Sequence, residues 1–142
     1  MNYRYQDAIN YRIQRIYRTY RRQIEATLTA LGLYPGQEHL LMQLWNEEGI
    51  TQSVLVERLC VEPSTVTKSL QRLEKVGFVE RRPDAEDSRV SRVYLTQAGR
   101  DLQAPVQQIW CDLEKMTTAG LSDVELALMR RILDQIDTNL AE

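Results

Sequence analysis

The stretch VEPSTVTKSLQRLEKVGFVERRPDAEDSRVSRVYL, residues 61–95, decides the fold. Pro63 suits a first helical position, because its missing N–H would have no partner there in any residue. Val66, Leu70 and Leu73 follow at i, i+4 and i+7 and make one apolar face. Ser64, Thr65, Lys68, Gln71, Arg72 and Lys75 gather on the opposite side, with small hydroxyls first and long donors after them. A helix that presents its first turn to base edges in a DNA major groove needs that order. An ordinary amphipathic helix would share the same pattern. Gly77 stops the helix. Two runs rich in β-formers, residues 78–82 and 90–95, then flank a Pro/Asp/Ser loop, which predicts a hairpin.

Upstream, Thr51 is a good N-cap for a short helix that carries Val54, Leu55 and Leu59 inward. Cys60-Val61-Glu62 is a three-residue turn between that helix and the one opened by Pro63, which together form a helix-turn-helix unit. A further helix is predicted over residues 35–45, with Leu40, Leu41, Leu44 and Trp45 as its apolar members, before Asn46-Glu47-Glu48-Gly49 breaks it. The chain opens on a predicted helix over residues 5–31. Its stripe Ile9, Ile13, Ile16, Tyr17, Tyr20, Ile24, Leu28 and Leu31 is uninterrupted by Gly or Pro. At 1.5 Å per residue this is roughly 40 Å of helix, too long for the small core that follows, so part of the stripe must pack elsewhere. Thr96 caps another long helix over residues 97–117, which Pro105 should kink or restart. After Gly120, Ser122 and Glu125 have capping-box spacing, and Leu128, Met129, Ile132, Leu133, Ile136 and Leu140 continue a last apolar face.

The expected fold is mainly α with a small antiparallel β-wing. A winged helix-turn-helix over residues 33–96 carries long terminal dimerisation helices, residues 1–32 and 97–142. Of the 142 residues, 43% are hydrophobic and 27% charged, an ordinary globular balance, and the net charge is −2. Its distribution is uneven. Residues 1–31 carry Arg4, Arg12, Arg15, Arg18, Arg21 and Arg22 against Asp7 and Glu25, whereas residues 93–142 are net acidic. A basic face aimed at phosphates is compatible with such a total. No apolar run approaches a membrane span and the N-terminus lacks a signal-peptide core, so a cytoplasmic protein is expected. One histidine, no nucleophile elbow, no phosphate loop and no metal-spaced cluster argue against an enzyme and point to no cofactor and no metal. Cys60 and Cys111 stand singly and are expected to be buried, inert thiols.

The run TQSVLVERLCVEPSTVTKSLQRLEKVGFVERR, the loop PDAEDSR and the following VYLTQAG resemble the MarR family of bacterial transcriptional regulators. The resemblance covers nearly the whole chain and is carried by the central part; the terminal helices match in length and pattern. It implies a dimeric winged helix-turn-helix repressor, less often an activator, whose hold on DNA is commonly released by a small ligand or by thiol oxidation. It places Ser64, Thr65, Thr67, Lys68, Gln71 and Arg72 where the family's recognition helix meets bases and phosphates. It places Thr51, Gln52 and Ser53 at a helix start suited to a phosphate, and it matches Asp87 and Arg89 to the wing's Asp-x-Arg pair, whose arginine reaches into the minor groove. Two positions depart from the pattern. Val54 stands where an acidic residue often completes a capping box with Thr51, and Glu62 is a weaker cap than Asp or Ser.

The partners this implies are a palindromic double-stranded operator, a second copy of the chain in a homodimer, and a small-molecule effector. The family's ligand cleft nominates Arg15, Arg18 and His39 as polar contacts and Trp45 and Trp110 as walls, a set suited to a carboxylated aromatic. The family's peroxide sensors carry a cysteine near the start of the first helix, which this chain lacks. Of the two thiols present, Cys60 beside the reading helix is the better sensor candidate. The rival reading is a non-catalytic winged-helix adaptor that binds a protein partner. Such an adaptor would have no need of Lys68, Arg72, Arg81, Arg82 and Arg89 on one side of the molecule.

Overall fold

The structure, a computed structural model, describes residues 4–141. The extreme ends of the expected terminal helical regions, residues 1–3 and 142, lie outside the described residues. The chain packs as two compact units, one ending at Ile109 and the other beginning at Trp110.

In the first unit, a 3-10 turn at Tyr5–Asp7 precedes α1 (Ile9–Ala30), α2 (Gln37–Asn46), β1 (Ile50–Thr51), α3 (Gln52–Leu59) and α4 (Pro63–Lys75). The wing, β2 (Val79–Pro83) and β3 (Ser91–Leu95), follows, then α5 (Gln97–Asp101) and the start of α6 (Gln103–Thr118). The core is built from the positions that periodicity selects. Leu40, Leu41 and Leu44 of α2, Leu55 of α3 and Val66, Leu70 and Leu73 of α4 are all buried. Leu28, Leu33, Val79, Val93 and Val106 are buried as well. Each such side chain contributes about 2 kcal/mol through removal of apolar surface from water.

Two glycines set how the helices end. Gly32 (φ 79°) and Gly77 (φ 83°) follow α1 and α4 in the left-handed region. There Leu33 N–H donates to Leu28 C=O at 3.0 Å and Phe78 N–H to Leu73 C=O at 2.9 Å, closing both helices as Schellman motifs. The chain therefore turns sharply from α4 into the wing. The sheet order is β1-β3-β2, antiparallel throughout, with Val79 opposite Leu95 and Pro83 opposite Ser91. β1 adds Ile50 opposite Val93 and Thr51 opposite Arg92. A two-residue strand has no periodicity to read, and β1 is absent from the sequence-based expectation for that reason.

The helix expected over residues 97–117 is broken at Leu102. Pro105 supplies no N–H for the Asp101 carbonyl and its ring crowds that carbonyl, so α5 ends there and α6 restarts. The second unit holds the remainder of α6 and α7 (Asp123–Ala141). The capping box forms at the start of α7. Ser122 N–H and Oγ–H both lie 2.8 Å from a Glu125 carboxylate oxygen, and Glu125 N–H donates back to Ser122 Oγ at 3.4 Å. These bonds, the backbone one foremost, hold the Glu125 carboxyl below its ordinary value.

The cysteines overturn an expectation. Both Cys60 and Cys111 are exposed. Cys60 ends α3 with φ 51°, which turns its side chain outward to lie 3.4 Å from the Glu57 carbonyl. Cys111 sits about 140° around α6 from buried Val106 at 100° per residue, away from the core side. The stripe of α1 is split as its length requires. Ile24 and Leu28 are buried, while Ile9, Ile13, Ile16, Tyr17 and Tyr20 remain exposed. In the second unit, Leu121, Val124, Leu128, Ile132, Leu133 and Leu140 are likewise exposed.

Candidate nucleic-acid interface

The outward face of α4 carries Ser64, Thr65, Lys68, Gln71, Arg72 and Lys75, all exposed. Lys68 and Arg72 make no ion pair among the described residues. The neighbouring cations differ, since Arg81 pairs with Glu74 at 3.2 Å, Arg82 with Glu80, and Arg58 with Glu47 at 2.6 Å. Two cations one helical turn apart and uncompensated form an anion-seeking ridge. The Arg72 guanidinium also lies over the Tyr34 ring, 5.1 Å from its centroid.

Thr51 caps α3 as read, its hydroxyl accepting the Val54 N–H at 3.3 Å. Gln52 donates its side-chain amide to the Thr67 hydroxyl, and that hydroxyl donates to the Pro63 carbonyl at 3.0 Å. These two side chains brace the start of α3 against α4 rather than extending freely from the surface. Glu62 makes no side-chain cap, in keeping with its weak capping chemistry.

The wing tip is organised by two aspartates. Asp87 accepts a two-pronged contact from the Arg89 side chain, at 3.1 and 3.2 Å, plus the Arg89 N–H at 3.0 Å. The Arg89 side chain is nevertheless 89% exposed, so it is oriented without being covered. Asp84 accepts the N–H groups of Glu86 and Asp87 at 3.0 and 3.1 Å. It also pairs with Arg92, whose other arm donates to the Gly49 carbonyl at 2.7 Å. Arg92 thus ties the loop to the β1 end of the sheet.

Arg92 foremost, then the Asp87 and Glu86 N–H groups, hold the Asp84 carboxyl below the usual aspartate range. Arg89 does the same for Asp87. Folded values that lie below unfolded ones stabilise the wing above the unfolded aspartate pKa. That stabilisation fades as pH falls through the folded values, from about pH 4 downward. Acid titration followed by NMR is expected to loosen the wing-tip amides before the α4 amides. In the double variant Asp84→Asn/Asp87→Asn the low-pH transition of residues 84–90 should disappear, and its persistence there would refute the assignment.

A family model described as the MarR family matches residues 33–91. The HTH-type transcriptional regulator TtmR of Methylorubrum extorquens (strain PA1) is 34% identical over 103 residues, 72% of this chain and 50% of that protein. The HTH-type transcriptional repressor IacR of Pseudomonas putida is 27% identical over 139 residues, 97% of this chain and 83% of that one. Among solved structures, the transcriptional regulator SlyA superposes with a TM-score of 0.85 at 26% identity, covering 93% of each chain. A mutant MarR from E. coli complexed with operator DNA gives 0.81 at 26% identity, covering 90% of this chain and 92% of that one. Residues 33–91 belong to the MarR family. The chain spans about half the length of TtmR.

A groove of about 350 Å³ between α2, α3 and α4 is lined by His39, with Arg58, Met42, Val61, Thr65 and Ser69 among its other walls. Arg15 and Arg18 are exposed on α1. Trp45 donates its indole N–H to the Gly99 carbonyl at 3.0 Å, which gives it a structural role. Trp110 belongs to the other unit. Sequence reasoning passed over Arg92, Tyr34 and Arg58. Arg92 lies within a β run and Tyr34 in a linker, and only their distant neighbours give them meaning. No helix among the described residues is long and apolar enough to cross a membrane.

Proposed function

We propose that this chain is a sequence-specific DNA-binding transcriptional regulator that acts as a homodimeric repressor on a palindromic operator. The observation that carries the reading is the uncompensated pair Lys68 and Arg72 on the exposed face of α4. Asp87-oriented Arg89 at the wing tip supplies a second contact suited to the minor groove. The exposed apolar residues of α1 and, separately, of α7 support the dimer, since surface of that kind usually marks an interface. In this reading, residues 33–96 bind DNA, and residues 1–32 and 97–142 hold the dimer. A two-fold dimer sets two recognition helices about 34 Å apart, one DNA turn. Release by a small aromatic or acidic ligand belongs to the same reading, supported by the groove on the flank of α4, which His39 lines together with Leu40, Met42, Leu59 and Val61.

The test is fluorescence anisotropy with a labelled duplex from the region upstream of the gene, titrated with salt. Six phosphate contacts give a log–log slope of about −5, so affinity should fall steeply with salt. A protein-binding adaptor would bind no duplex, and that result would overturn the proposal.

A further inference from the structure

We infer that Tyr34, in the linker between α1 and α2, is a positioning residue for DNA recognition that holds Arg72 of α4 ready for its contact. The inference rests on the DNA-binding reading above. Tyr34 is 61% exposed, yet its backbone is fixed. Tyr34 N–H donates to the Gln37 side chain at 2.9 Å, and its carbonyl accepts Gln37 N–H at 3.1 Å. Gln37 and the preceding Leu33 are both buried. The core therefore anchors the linker on both sides of an aromatic ring that faces solvent and one guanidinium. Nothing else among the described residues competes for Arg72 as an ion-pair partner.

A free arginine side chain must lose considerable rotamer freedom when it grips a phosphate or a base edge. Stacking on a ring removes part of that freedom in advance. At 5.1 Å from the ring centroid this is a cation–π contact, and it ties up no N–H donor of Arg72 in an ion pair. The order of events matters for affinity, because a contact organised before binding costs less when binding occurs. The stack also joins the end of α1 to the reading helix, residues that lie far apart in the sequence.

The experiment uses the full chain and a labelled duplex recovered by in vitro selection from a random pool. Tyr34→Ala is expected to weaken binding about three-fold per half-site, on the order of ten-fold for a duplex engaging both protomers. Its salt slope should match wild type, because no charge is lost. Arg72→Ala should lower affinity and also flatten the slope. Tyr34→Phe should restore wild-type affinity and Tyr34→Leu should not, since the ring face is what acts. In an Arg72→Ala background, Tyr34→Ala should have no further effect, and thermal midpoints should stay unchanged throughout. Tyr34→Ala binding as well as or better than wild type would overturn the inference alone, the latter meaning that the ring sequesters Arg72. A wild-type chain that recovers no duplex would overturn the DNA-binding reading and this inference with it.

Discussion

Replacing Lys68 and Arg89 together by alanine is expected to lower affinity for the selected duplex on the order of 100-fold. The two side chains sit on different elements, α4 and the wing loop, and share no partner. Their losses should therefore add. Lys68 faces solvent with no carboxylate among the described residues, so its charge is uncommitted before binding. Arg89 is pre-oriented by Asp87 through bonds at 3.0 to 3.2 Å, so its removal discards an organised contact. Neither supports the core, and an exposed ion pair such as Asp87–Arg89 adds little to stability. The melting temperature should stay near wild type, which separates a lost contact from a lost fold. Anisotropy titration reads the outcome. Affinity within a factor of two of wild type would show that α4 and the wing are not the DNA-facing surfaces.

Gly99→Ala is expected to destabilise the fold by about 3 kcal/mol, a fall of about 10 °C in thermal midpoint. The reason is close approach, not backbone conformation. A Cβ on Gly99 would lie 2.1 Å from the Phe78 carbonyl oxygen and 3.1 Å from Leu95 Cδ2. The obstacle is backbone just ahead of β2 and cannot swing aside as a side-chain tip would. That same carbonyl accepts the Thr96 N–H at 3.1 Å, and the Gly99 carbonyl accepts the Trp45 indole at 3.0 Å. Pushing α5 away would strain both bonds and displace the segment that joins the wing to α6. Circular dichroism melts measure the effect, and an unchanged midpoint would show that α5 can shift without cost.

Much of the architecture was legible in the chain because its signals are local. Val66, Leu70 and Leu73 specify one face of α4 by spacing alone, and all three are buried. The Thr51 cap and the Ser122–Glu125 box formed as their chemistry requires. Pro105 interrupted its helix by the loss of one donor, with the break at Leu102, three residues ahead of the proline. The resemblance carried by PSTVTKSLQRL and PDAEDSR pointed to α4 and the wing. Cysteine burial was misjudged because composition reports a tendency of the residue type, whereas the left-handed turn at Cys60 decides where that thiol points.

Local periodicity and capping chemistry by themselves determined which residues form helices, which face each helix buries, and where the cation-bearing side of α4 lies. Tertiary structure decided the rest. It paired Ile50 with Val93, laid Arg92 across to the Gly49 carbonyl, set Arg72 over Tyr34 and brought Gly99 against Phe78. Each of these joins residues 20 or more positions apart. No repeating pattern encodes such contacts, because they exist only once the buried faces have packed and fixed the distances between elements.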